Sequence, residues 1–203
     1  MSESTPLRPV ATPPSRFTRA AIGWRPWLEP VAEGDLSDVQ REALIDAGRA
    51  KSDYFRLLAR DPAILRARTL TDNDIFYNPD AGLPRGEREF AAAATSRFNG
   101  CIFCASVHAR FAAHFLDDPA EVDALLAEGV DAELSARHRA IVDAATALTR
   151  TPITFGAEHI AALREAGLDD QSIADLIHAS AFFNWANRLM LSLGEPDATG
   201  VEL

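Results

Sequence analysis

The sequence is short of cysteine, of positive charge and of long apolar runs, and each shortage bears on function. Its 203 residues include only two cysteines, Cys101 and Cys104, spaced as C-x-x-C. Such a pair points to transient redox chemistry or metal binding before a structural staple. Acidic residues outnumber basic ones by 30 to 20, for a formal net charge of −10. A nucleic-acid surface needs clustered Lys and Arg to neutralise phosphate, and an anionic bilayer needs a polybasic stretch. The sequence offers neither. No stretch approaches the roughly 18 to 20 uninterrupted apolar residues of a spanning helix. The opening "MSESTPLRPVATPPSRFTRA" has no apolar signal core and is rich in Pro, Ser and Thr. Residues 1–20 are therefore expected to be a flexible arm, followed by one domain at 21–203, in a soluble, cytoplasmic protein with no nucleic-acid or membrane partner.

What is present is helical periodicity. Apolar residues in "SDVQREALIDAGRAKSDYFRLLARD" fall at Val39, Ala43, Leu44, Ala47, Tyr54, Leu57 and Leu58, which predicts an amphipathic helix capped by Ser37. Pro62 restarts a helix at a first-turn position. An Ala-rich helix runs to Asn99-Gly100, where glycine supplies a left-handed stop, and the cysteine segment opens the next. Further helices follow, with breaks at Gly129, Pro152, Gly167 and Gly194. No run alternates with the period of a strand, and "GWRPWLEPVAEGDLS" reads as irregular. The expectation is an all-α fold of about eight helices with the C-x-x-C helix at its core.

The chemistry concentrates in "FNGCIFCASVHARFAAHF". On a helix, Cys101 and Cys104 share a face and are close enough to close a disulfide with modest adjustment. Cys101 follows the Gly break, so the unpaired N–H groups of a new helix favour its thiolate. His108 lies one turn past Cys104 and can exchange a proton with a thiol. A carboxylate to orient the imidazole is available at Glu87 or Glu89, and spacing leaves both open. Two other readings compete. The cysteines would serve as inert core, or Cys101, Cys104 and His108 would join Glu89 or His114 around zinc. Structural zinc sites, however, draw their ligands as two separated pairs.

The stretch "GEREFAAAATSRFNGCIFCASVH" resembles the core motif of the AhpD-like alkylhydroperoxidases, within the carboxymuconolactone decarboxylase superfamily: a Glu, eleven residues, then C-x-x-C-x-x-x-H. "SDYFRLLARDPAILRA" and "LREAGLDDQSIADLIHASAFFNWANRL" extend the likeness to the peroxidase-related branch, over residues 37 to 195. The resemblance implies an AhpD-like helical bundle and selects Glu89 over Glu87. It implies Cys104 as the cysteine that attacks the peroxide, Cys101 as the one that resolves it to a disulfide, and His108 with Glu89 as the proton relay. It further implies an antioxidant thiol peroxidase without cofactor or metal, acting on organic hydroperoxides or hydrogen peroxide. The disulfide would be reopened by a dithiol reductant, a lipoyl-bearing or thioredoxin-like protein, and the assembly would be a homo-oligomer, a trimer or hexamer. Phe103 departs from the pattern, since some members carry a second histidine there. The attack assigned to Cys104 also runs against the helix-terminus argument for Cys101. Two alternatives stand beside this reading: a carboxymuconolactone decarboxylase-like enzyme, although those enzymes generally lack the cysteine pair, and a non-catalytic thiol sensor or zinc-stabilised interaction module.

The remaining polar candidates read as structural. His114 faces away from His108 round the helix. His138 reads as solvated or capping, and His159 and His178 as satisfied single histidines. Asn184, Asn187 and Arg188, set in an apolar stripe, need buried partners and are expected to form a network or interface that pins the cysteine helix. Trp24 and Trp27 are candidates for a subunit boundary.

Overall fold

The computed structural model describes residues 13–201. The expectation of a flexible arm falls largely on residues 1–12, outside the described residues. Residues 13–20 are irregular and lie against the body of the protein. There the Phe17 ring sits under the Arg97 guanidinium at 4.1 Å and Arg19 pairs with Asp123 at 2.6 Å.

Among the described residues the architecture is nine α-helices and one small sheet: α1 Asp38–Ala43, α2 Asp53–Leu58, α3 Pro62–Tyr77, α4 Arg85–Asn99, α5 Ile102–Phe115, α6 Ala120–Glu128, α7 Ala136–Thr149, α8 Ala157–Glu165 and α9 Asp170–Leu193, with strands β1 Gly23–Pro26 and β2 Gly194–Asp197. No described helix is long and apolar enough to cross a membrane. The all-α expectation holds, with two local corrections.

The helix expected over 37–61 is broken. Ser37 caps α1 through a reciprocal pair with Gln40, but Ile45 takes φ 65° and the Asp46 side chain accepts from Gly48 N at 2.8 Å. A local side-chain bond offers the backbone an alternative to helix and wins at this point. The second correction concerns "GWRP", which pairs antiparallel with β2, Gly23 opposite Asp197 and Pro26 opposite Gly194. Close packing fixes this pairing: a Cβ on Gly194 would collide with the Trp24 ring and with the Arg25 carbonyl. Trp24 is half-buried and stacks edge-on against Tyr54 at 5.6 Å within the chain, whereas Trp27 is exposed.

Helix α4 is the centre. Eleven consecutive residues, Gly86 to Ser96, are buried, with α5, α7 and α9 packed round them. The small side chains of "AAAATS" let these neighbours approach, and Gly86 is tighter still: a Cβ there would stand 2.8 Å from Leu116 Cδ2 on the α5 side. A helix buried on every side must satisfy its own charges internally. Glu87 pairs with Arg137 at 2.5 and 2.8 Å, Arg88 donates to Ile75 O at 2.5 Å, and Glu89 meets His108. Three apolar clusters surround this frame, and the two cysteines belong to the one built from Tyr54, Ile75, Phe76, Ala179, Phe183, Ala186 and Met190.

Candidate functional site

The site begins with a reversal of the chain. Gly100 takes φ 79°, Cys101 N donates to Ser96 O at 2.9 Å and Gly100 N to Arg97 O at 3.4 Å, the two hydrogen bonds of a Schellman turn. Cys101 thereby becomes the N-cap of α5, with Cys104 in the first turn and His108 one turn further. Because α5 runs back along α4, His108 arrives beside Glu89, and its Nδ1 lies 2.6 Å from Glu89 Oε2. The other carboxylate oxygen accepts from Arg85 Nε and Nη2, at 3.3 Å each. A carboxylate only accepts, so the hydrogen bond puts the proton on Nδ1 and leaves a lone pair on Nε2. The ring is wedged between Phe183, 4.0 Å away edge to face, and Phe76 at 5.2 Å. Glu87, two residues before Glu89 and so turned to the other side of α4, is taken by Arg137. Between the two carboxylates that spacing left open, only Glu89 reaches the imidazole.

Both thiols are free and buried, and they share polar contacts. The Cys104 S–H donates to the Cys101 sulfur, the main influence holding the Cys101 pKa below its ordinary value against the effect of burial. The Cys104 backbone N–H and the Asn187 side chain lower it further. The same S–H bond, then burial, then repulsion from a Cys101 thiolate push Cys104 well above the ordinary thiol value. The first ionisation of the pair therefore belongs to Cys101, in line with its place at a helix N-terminus.

Access differs in the opposite sense. Cys104, His108 and Glu89 line a cavity of about 310 Å³ whose apolar walls include Phe76, Phe103, Phe183 and Met190; Cys101 lies behind Cys104 and does not line it. Arg49, Tyr54, Arg68 and Asp72 form the polar part of the wall. A cleft of about 390 Å³ between α7 and α8 contains no sulfur. Among the described residues no three His, Cys, Asp or Glu side chains are arranged to hold a metal ion.

The other histidines sort as follows. His114 is exposed against Phe115, His159 Nδ1 accepts from Gly156 N at 3.1 Å at the start of α8, and His178 lies at the surface. His138 is not solvated: its ring packs on Phe90 at 4.8 Å and bonds Glu121, while its backbone N–H is capped by Ser135. Asn184, Asn187 and Arg188 form a network within the protomer. Asn99 Nδ2 donates to Asn187 Oδ1 at 3.1 Å and Asn187 Nδ2 to Ser96 Oγ at 3.0 Å, while Arg188 Nε donates to Asn184 Oδ1 at 3.1 Å. The reach of Asn187 to the sulfurs is invisible in sequence, as is the inward turn of Arg68. The one signal for Arg68 was its spacing from Asp72, which reads equally well as a surface ion pair.

Residues 62–147 match the carboxymuconolactone decarboxylase family. This match and the structural neighbours support the AhpD/carboxymuconolactone decarboxylase superfamily for this chain. The chain is similar to a peroxidase-related protein of Ralstonia eutropha JMP134 with an alkylhydroperoxidase AhpD core, at 26% identity and a TM-score of 0.69, covering 82% of this chain and 88% of that one. A peroxidase-related protein of Silicibacter sp. TM1040 is similar at 27% identity and a TM-score of 0.67, covering 82% and 90% of the two chains. A debrominase shares the fold at 17% identity and a TM-score of 0.63, covering 81% and 88%. No curated protein matches the chain. Superfamily and fold together support a peroxidase-related or carboxymuconolactone decarboxylase-like function.

Proposed function

We propose that this chain is a thiol peroxidase that reduces a hydroperoxide through a disulfide cycle of Cys104 and Cys101. The observation that carries the reading is the placement of one sulfur of a hydrogen-bonded pair on the cavity wall beside an imidazole anchored at 2.6 Å to a buried carboxylate. Cys104 is the sulfur a substrate can meet, and its raised pKa means that it needs a base. His108 Nε2 is that base, held in the required tautomer by Glu89.

In the proposed cycle the Cys104 thiolate attacks one peroxide oxygen and the O–O bond breaks. The departing alkoxide takes a proton from the imidazolium and leaves as an alcohol, and Cys104 becomes a sulfenic acid. The Cys101 thiolate then attacks the Cys104 sulfur, forming the S–S bond and releasing hydroxide, which is protonated to water. The low pKa of Cys101 suits it to this step. A dithiol, carried by a lipoyl-bearing or thioredoxin-like partner, returns two electrons and two protons and is itself oxidised to a disulfide. The working assembly is proposed to be a homo-oligomer.

The test is consumption of cumene hydroperoxide with dihydrolipoamide, in wild type and in Cys104→Ser, Cys101→Ser and His108→Gln. Turnover abolished in Cys104→Ser, and in Cys101→Ser halted after a single sulfenic acid, supports the cycle. A wild type with titratable thiols that consumes no peroxide overturns it.

A further inference from the structure

The cavity wall carries a cation that the peroxide chemistry leaves unused. Arg68, on α3, has a side chain only 9% exposed. Its guanidinium carbon lies 5.9, 5.4 and 5.4 Å from the ring centres of Tyr54, Phe55 and Phe182, so three aromatic faces fix its position. One nitrogen, Nη2, approaches Asp72 Oδ1 at 3.4 Å. Nε and Nη1 are buried and make no hydrogen bond of ordinary geometry, and the Tyr54 hydroxyl is the one neutral polar partner beside the guanidinium. Ring faces attract the charge but accept little from N–H groups. An arginine cannot shed its proton to relieve the mismatch, and buried donors without acceptors are costly. The Arg68 side chain lines the same cavity as Cys104.

The neighbours define the missing acceptor. Arg49, the other cation on this wall, is engaged by Leu44 O at 3.3 Å and Asn73 Oδ1 at 3.0 Å. Asp72 already offsets part of the Arg68 charge. A dianion such as phosphate would face one free cation beside a carboxylate, whereas a monoanion balances the site. Beyond Arg68 the wall toward Cys104 is apolar, formed by Phe76, Phe103 and Phe183. A volume of about 310 Å³ sits at the small end of the range for organic ligands, roughly 300 to 1,000 Å³.

We propose that Arg68 anchors a small organic acid, its carboxylate on the guanidinium and its apolar body along Phe76, Phe103 and Phe183 toward Cys104. Resting on the peroxidase reading above, this makes the substrate a hydroperoxide that bears a carboxylate, held by Arg68 with its O–O bond toward the sulfur. Arg68 then sets substrate class and takes no part in bond breaking.

Octanoate and 1-octanol test this independently of turnover, because neither is a peroxide. Isothermal titration of the reduced full-length protein is expected to give octanoate a Kd at least about tenfold below that of octanol. Arg68→Gln removes the preference, Arg68→Lys restores part of it, and Asp72→Asn tightens octanoate by freeing Nη2. Should Arg68→Gln not fold, the octanoate-to-octanol ratio and the Asp72→Asn shift decide. Equal affinities for the two probes, or a preference that survives Arg68→Gln, overturn the proposal. A second readout separates it from the function on which it rests. Octanoate discrimination with no turnover of any hydroperoxide leaves the acid site standing and removes the peroxidase. Turnover of cumene hydroperoxide without that discrimination does the reverse.

Discussion

Asn187 Nδ2 donates to Ser96 Oγ at 3.0 Å, joining the middle of α9 to the last turn of α4 immediately before the thiols. Ser96 in turn donates to Ala92 O at 2.7 Å and its carbonyl holds Cys101 N at 2.9 Å. One buried amide thus fixes the turn that presents Cys101 and also donates to its sulfur. Asn187→Ala is expected to destabilise the protein by about 1 to 3 kcal/mol, the cost of leaving Ser96 and Asn99 without their partner. It is also expected to raise the Cys101 pKa. Urea unfolding and thiol titration on the same variant check both effects.

The thiol pair titrates as a unit, with one proton held between two sulfurs. Rates of alkylation against pH should show one group reacting below the ordinary thiol range and one staying protonated well above it. Cys104→Ala removes the S–H donor and is expected to move the Cys101 pKa upward. Cys101→Ala removes both the acceptor and the repelling thiolate, and is expected to bring Cys104 down. Unchanged titration in either variant would show that the sulfurs do not share the proton.

Replacing Glu89 tests the relay apart from the sulfurs. Glu89→Gln keeps an acceptor near Nδ1 but loses the charge that stabilises an imidazolium. A fall in kcat on the order of a hundredfold is expected, with KM little changed. Glu87→Gln, which disturbs the Arg137 pair and the longer approach to His138 on the other side of α4, is expected to cost stability and leave kcat nearly unchanged.

Tyr54 gives the fold an alkaline limit. Burial is the main cause that raises its pKa from 10.0 to about 12, opposed by the nearby Arg68. Above pH 10 the unfolded chain releases this proton while the folded chain keeps it. The folded state then binds more protons, and stability must fall with rising pH. Between pH 10 and 12 the loss is roughly 2 to 3 kcal/mol. Phenolate absorbance should show Tyr54 titrating only near the upper end of the window, and the pH dependence of stability should flatten in Tyr54→Phe.

What sequence conveyed well were features with a local cause. Gly100 announces a reversal because only glycine takes φ 79° without strain, and C-x-x-C-x-x-x-H places three side chains along one face by helical spacing alone. Spacing could not choose between Glu87 and Glu89, since the decision lies in which neighbour each side of α4 faces. The break at Ile45 was hidden by an unbroken apolar period, and was decided by the Asp46 side chain competing for Gly48. The β1–β2 pair was hidden for another reason: Pro26 and Gly194 read as interruptions, and their pairing joins segments far apart in sequence. His138 and Arg68 were misjudged or overlooked because a charged residue on an amphipathic helix defaults to solvent, and only a partner from another element draws it inward.

The order in which the chain is made gives the apolar enclosure of the thiols a further meaning. Phe183, Ala186 and Met190, which complete the cluster around Cys101 and Cys104, all belong to α9. Translation reaches that helix well after both cysteines have emerged. On the ribosome the two sulfurs therefore pass through an interval of exposure that ends when α9 docks, and a maleimide pulse distinguishes chains before that event from chains after it.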